Sequence, residues 1–318
     1  MNVRLAAGVL ALAVSALLAG CGSSGSSSSA GASASTGTST STYPLTVHAS
    51  NGAVTLKARP GRVISLSPTA TEDLYAVGAG HQVAAVDSDS DYPKDAPVTS
   101  LSGLTPNVEA IAKYRPDLVI ASQNSGGLVS GLTKLGIPVL IEPAAATLAS
   151  AYGQIDQIGQ ATGHLAAAQR TVASMRSQIA ADVRRAGSGH KDLTYYWELS
   201  ASPYYSAASQ TFIGQVVGLF GLTNIADTAN KASDGGYPEL TEEYIVTARP
   251  EIIFLADNQA ADGGQTPAIV ARRAGWTAIP AVKDDEVIGL NDDIASRWGP
   301  RLPQLVAAIA QAVVRAKA

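Results

Sequence analysis

Two glutamates head the same phrase in this chain. "EAIAKYRPDLVIA" runs from residue 109 to 121 and "EYIVTARPEIIFL" from 243 to 255. Both read Glu, any residue, Ile, three residues, Arg-Pro, an acid, then an apolar run. Asn107 and Thr241 stand two residues before Glu109 and Glu243 and are N-cap types, which places each acid in the first turn of a helix. A carboxylate there gains about 0.3–1 kcal/mol from the helix dipole. The third helical position, which a capping box would use, holds Ala110 and Tyr244 instead. Neither glutamate is therefore committed to its own helix by a capping box.

Covalent chemistry is not legible. The chain has no G-x-S-x-G elbow, no phosphate-binding loop and no H-E-x-x-H helix. Its histidines, His48, His81, His164 and His190, show no ligand spacing, so no metal centre and no enzyme activity are expected. Aromatics make up 5% of the chain and gather in segments that follow apolar runs. Tyr92 closes "DSDSDYP", Trp197, Tyr204 and Tyr205 lie in "WELSASPYY", Tyr237 lies in "DGGYPEL" and Trp298 in "SRWGPR". Flat rings on loops after strands suit a bulky ligand, because open α/β sheets bind ligands beyond the carboxyl ends of their strands.

Those loops need elements to carry them. Strand-like runs at Val63–Leu66, Val83–Asp87, Leu118–Ala121 and Val139–Ile141 alternate with short helix-compatible stretches. The alternation resumes with Leu193–Trp197, Ile252–Leu255 and Val287–Leu290. It predicts an α/β fold of two similar lobes with mostly parallel strands and a ligand cleft between them. Asn51-Gly52 marks a hairpin before the first lobe. Between the halves, His164–Ala186 has neither Gly nor Pro and carries Leu165, Val172, Met175, Ile179 and Val183 at helical spacing. That predicts one backbone helix about 35 Å long.

A length of 318 residues allows one large or two ordinary domains. Net charge is −4 with a pI near 5.6, and no basic face is evident, so nucleic acid is not an expected partner. Arg4 followed by the apolar run Leu5–Gly20 reads as a signal peptide. Leu18-Ala19-Gly20-Cys21 resembles a lipobox, which implies a lipid on Cys21, the sole cysteine. Residues 22–42 contain only Gly, Ser, Ala and Thr and read as a flexible tether reaching on the order of 25 Å. The expected organisation is a signal peptide at 1–20, lipidated cysteine and linker at 21–42, and a first lobe at 43–145. A connector with the backbone helix follows at 146–189, and a second lobe at 190–318. No covalent cofactor beyond the Cys21 lipid is expected.

Taken in order, "RVISLSPTATEDLYAVGAG", "VAAVDSDSDYP", "VEAIAKYRPDLVIAS", "TFIGQVVGLFGLTNIA", "YPELTEEYIVTARPEIIFL" and "GPRLPQLVAAIAQAV" resemble one family over roughly residues 45–315. It is the helical-backbone class of ABC importer substrate-binding lipoproteins, which serve cobalamin, ferric siderophores and haem. The resemblance implies a monomeric, membrane-anchored receptor outside the cytoplasm, with Glu109 and Glu243 meeting arginines of a permease dimer. The wording is nearest the cobalamin binders, which implies ligand contacts at Tyr92, Trp197, Tyr204, Tyr205, Tyr237, Asp293 and Arg297. Leu101 and Tyr237 depart from the pattern, each standing about where a cobalamin binder has tryptophan. The same resemblance leaves open a ferric siderophore facing Arg297, or a haem ligated by Tyr204 or Tyr205. An extracytoplasmic enzyme on this scaffold is the reading from another class, and it would need a nucleophile–base pair or clustered metal ligands in the cleft.

Overall fold

A computed structural model describes residues 42–258 and 264–316. Leu45–Ala49 (β1) and Gly52–Leu56 (β2) form an antiparallel hairpin with Ala49 opposite Gly52. The turn is therefore Ser50-Asn51, one residue earlier than the Asn-Gly signal predicts. The Asn51 side chain is engaged elsewhere: it donates to the Val139 carbonyl at 2.9 Å and accepts from the Ile141 amide at 3.0 Å. Those bonds fasten the hairpin to an edge strand of the first sheet.

That sheet contains Val63–Leu66 (β3), Val83–Val86 (β4), Leu118–Ala121 (β5) and Val139–Ile141 (β6), all parallel, in the order β4-β3-β5-β6. Pro68–Ala76 (α1), Val108–Ala112 (α2) and Leu128–Lys134 (α3) are its helices. Every residue of β3 and β5 is buried, as a parallel sheet covered on both faces requires.

Two helices follow. Leu148–Thr162 (α4) opens with a Thr147–Ser150 capping box and ends at Gly163, whose φ is 78°. Leu165–Ala186 (α5) is the long helix the periodicity predicts, burying Ala168, Val172, Met175 and Ile179. α4 packs along it. Gly153 and Gly159 hide α4 from a propensity reading. Gly159 is explained by packing, since a Cβ there would overlap Ala168 of α5.

The second half contributes Thr194–Glu198 (β7), Ser200–Ala201 (β8), Tyr204–Tyr205 (β9), Thr223–Asn224 (β10), Glu239–Leu240 (β11), Ile252–Leu255 (β12) and Val287–Gly289 (β13). Its helices are Phe212–Gly218 (α6), Glu242–Ala248 (α7), Pro267–Val270 (α8), Pro280–Lys283 (α9), Asp292–Ser296 (α10) and Leu302–Arg315 (α11). The main sheet is parallel in the order β10-β7-β12-β13, while β11-β9-β8 form a small antiparallel sheet. Each main sheet places its second strand outside its first, then adds the third and fourth on the other side. The two lobes share one topology.

The repeated phrase marks the same corner in both. Arg115 and Arg249 each have a φ of 51°, a left-handed conformation that only Asp285 shares among the described non-glycine residues. Arg249 is the C-cap of α7 and Arg115 follows the short turn that ends α2, and the proline after each cannot continue a helix. The acid after the proline then binds the start of the neighbouring strand. Asp117 accepts from the Gly61 and Arg62 amides at 2.9 Å each, and Glu251 accepts from the Thr194 amide at 2.7 Å and its hydroxyl at 3.0 Å. Among the described residues no helix is long and apolar enough to cross a membrane.

Candidate functional site

In a parallel sheet each helix runs back against the strands, so its N-terminus lies at their carboxyl ends. α2 and α7 obey this rule, and their caps are those the sequence predicts. Asn107 Oδ1 accepts from the Ala110 amide at 2.9 Å, and Thr241 Oγ1 from the Tyr244 amide at 3.2 Å. Glu109 and Glu243 are exposed at the second helical position of each. Neither carboxylate bonds to another described side chain. Glu242, one residue earlier, turns inward and accepts from Trp276 Nε1 at 3.0 Å. Glu109 and Glu243 thus stand exposed at equivalent helix starts, one in each lobe.

Tyr92, Asp293 and Arg297 meet where the lobes touch. Arg297 donates to Glu72 Oε1 at 2.9 Å, Asp91 Oδ1 at 2.9 Å, Asp293 Oδ1 at 2.6 Å and the Asp89 carbonyl at 3.1 Å. Burial works against the Asp91 carboxylate, but Arg297 beside it holds its pKa below the usual value. Arg301 bonds both oxygens of Glu72, at 2.8 and 2.5 Å, and its guanidinium lies 4.2 Å from the centre of the Tyr92 ring. Trp298 Nε1 reaches across to Gln154 Oε1 at 2.7 Å. Glu72 and Arg301 belong to the same cluster, and the sequence marks neither. The only sequence signals were an acid inside the "TATED" segment and the Gly-Pro-Arg that opens α11.

Two more carboxyls are buried beside this junction. Burial pushes Glu142 up to about 8. Burial, with Glu72 and Glu142 nearby, raises Asp73 well above the usual range. Asp73 Oδ1 and Glu142 Oε1 have no hydrogen-bond partner, which suits protonated, neutral carboxyls.

The remaining aromatics divide. Tyr205 is 39% exposed on β9, and Tyr237 is 49% exposed just before β11, the strand that pairs with β9. Tyr92 is 43% exposed. Tyr204 is half-buried, its ring 5.8 Å from that of Trp276 and its face 5.3 Å from the Arg273 guanidinium. Arg273 in turn binds Glu198 through two bonds of 2.6 Å. Trp197 is a correction to the predicted contacts: it is fully buried and packs 5.5 Å from Phe254, in the core. The cause is that β7 is covered on both faces, so Tyr195 and Trp197 enter one apolar cluster and Tyr196 the other. Leu101 is also buried, bridged to Asp87, and offers no ring.

Cys21 lies outside the described residues. Among those described, no group of three or more His, Cys, Asp or Glu could hold a metal ion. A groove of about 730 Å³ lies beside the hairpin, lined by Leu56, Arg59, Leu135 and Val139, away from all these loops.

Two parallel α/β lobes of one topology, tied by helices and edged with tyrosines and paired ions, define a two-lobed binding protein. A family profile described as "Periplasmic binding protein" matches residues 63–294. The ABC transporter substrate-binding lipoprotein YvrC of Bacillus subtilis is 31% identical over 95% of this chain and 94% of its own. A vitamin B12-binding protein of Vibrio parahaemolyticus is 30% identical over 76% of this chain and 84% of its own. The crystal structure of the periplasmic vitamin B12 binding protein BtuF of Vibrio cholerae superposes with a TM-score of 0.67 at 27% identity, covering 81% of this chain and 98% of that one. The chain belongs to the periplasmic binding protein family, as a substrate-binding protein of ABC transporters.

Proposed function

We propose that this protein is a lipid-anchored extracytoplasmic receptor, without catalytic activity, that captures cobalamin and delivers it to an ABC permease. The observation that carries the ligand is the state of its cations. Arg297 and Arg301, the guanidinium groups at the lobe junction, are held by Glu72, Asp91 and Asp293. An anionic ferric chelate, or the carboxylates of haem, would need a free cation in their place. What the loops leave exposed are Tyr92, Tyr205 and Tyr237, flat groups that suit a large, largely uncharged ring bearing amides. The relatives named for vitamin B12 support the same choice. Haem is the second reading, favoured by the exposed phenols of Tyr205 and Tyr237, since tyrosine is a known axial ligand to haem iron.

Delivery is assigned to Glu109 and Glu243, exposed acids at equivalent helix starts of the two lobes, each meeting an arginine on one permease subunit. The lipid is assigned to Cys21. Calorimetric titration of the purified protein with cyanocobalamin, haemin and ferric siderophores tests the ligand. Saturable binding of cyanocobalamin, tighter than of the others, is expected. Binding of haemin or a siderophore in preference would overturn the assignment.

A further inference from the structure

Arg301 stands outside the residues the sequence singles out. It is the N-cap residue of α11, a helix fixed by the buried side chains of Leu302, Leu305, Val306 and Ile309. Its guanidinium is bidentate on Glu72, with Nε to Oε2 at 2.8 Å and Nη2 to Oε1 at 2.5 Å. Glu72 is itself buried in α1 of the other lobe and also takes a bond from Arg297. Two parallel bonds fix the plane of a guanidinium as well as its position. The guanidinium carbon lies over the Tyr92 ring, 4.2 Å from its centre, while Tyr92 remains 43% exposed. The ring is backed by a cation and otherwise partly open.

We propose that Arg301 is a positioning residue for ligand capture. Anchored on Glu72, it backs the Tyr92 ring so that the exposed part of the ring is already set when the ligand arrives. This rests on the reading of Tyr92 as a ligand contact. A ring held in place before binding has less rotational freedom to lose on binding. Arg297 serves a different purpose, since its donors go to carboxylates and a carbonyl. The role also explains why position 301 carries an arginine: lysine could meet Glu72 but offers no flat face to the ring.

Two measurements on the full chain test the role. In the first, 3-fluorotyrosine replaces Tyr92, and its fluorine resonance is compared between the native background and Arg301→Lys. The resonance is expected to be displaced from that of free fluorotyrosine and to move towards it in the variant. An unchanged resonance overturns the proposal whatever the ligand is. In the second, cyanocobalamin affinity is measured for the native protein, Arg301→Lys, Tyr92→Ala and the double variant. Arg301→Lys should weaken binding roughly threefold to tenfold, and should add nothing once Tyr92 is alanine. The same loss in both backgrounds would mean that Arg301 acts only on the fold, and would overturn the role. If the native protein fails to bind cyanocobalamin, the ligand reading falls and the fluorine signal alone decides the role of Arg301. Should Arg301→Lys not fold, Glu72→Gln loosens the same anchor and carries the same expectations.

Discussion

Trp197 and Tyr205 lie close together in one aromatic stretch, and the fold sends them in opposite directions. Nothing in "WELSASPYY" distinguishes a ring that faces a ligand from one that fills a core, because both uses favour large flat groups. The deciding fact is that β7 is an inner strand of its sheet, which depends on a partner strand far along the chain. The two positions should therefore separate in experiment. Trp197→Ala should destabilise the fold by about 3–5 kcal/mol, measured by urea unfolding. Tyr205→Ala and Tyr237→Ala should each leave stability within about 0.5 kcal/mol and weaken ligand binding in titration. Large stability losses at both tyrosines, with affinity intact, would remove them from the site.

Among the elements, the strands and α5 are legible in the sequence and α4 is not. β3, β5, β6 and β12 stand where their apolar runs are, since a buried parallel strand announces itself as a continuous hydrophobic run. α4 was invisible because its glycines answer to α5, not to helix propensity. Gly159→Leu is accordingly expected to cost about 1–3 kcal/mol or more through overpacking against Ala168, whereas Gly153→Ala, with open space around it, should be mildly stabilising. Thermal unfolding of the two variants checks the contrast. The cross-lobe ion network was equally illegible, because Glu72 and Arg301 are far apart in sequence and only the docking of α11 joins them.

The buried acids at the end of β6 and in α1 give the junction a pH dependence with a definite sign. Glu142 binds its proton more tightly when folded, near pH 8, than its ordinary value of 4.5. Between those values the folded state holds more protons than the unfolded one, so stability falls as pH rises. The contribution is complete below about 4.5 and lost once pH passes about 8. Asp73 acts in the same direction. Replacing Glu142 with glutamine should flatten the decline, visible as a smaller drop in Tm between pH 5 and pH 9. A profile as steep as that of the native protein would show that Glu142 does not titrate in this window.

At the scale of the whole molecule, the duplicated corner sets two acids on equivalent helices of two equivalent lobes. Capture and delivery are then separable. The double change Glu109→Ala and Glu243→Ala should abolish ligand uptake in cells while leaving the affinity of the purified protein unchanged. Uptake at the native rate would contradict the docking role. Capture itself is read most directly from the absorbance spectrum of the protein purified from cells supplied with cyanocobalamin. Corrin bands that co-purify at about one ligand per chain, as a single cleft between two lobes implies, are the predicted result. A colourless protein, or one carrying the Soret band of haem instead, would contradict it.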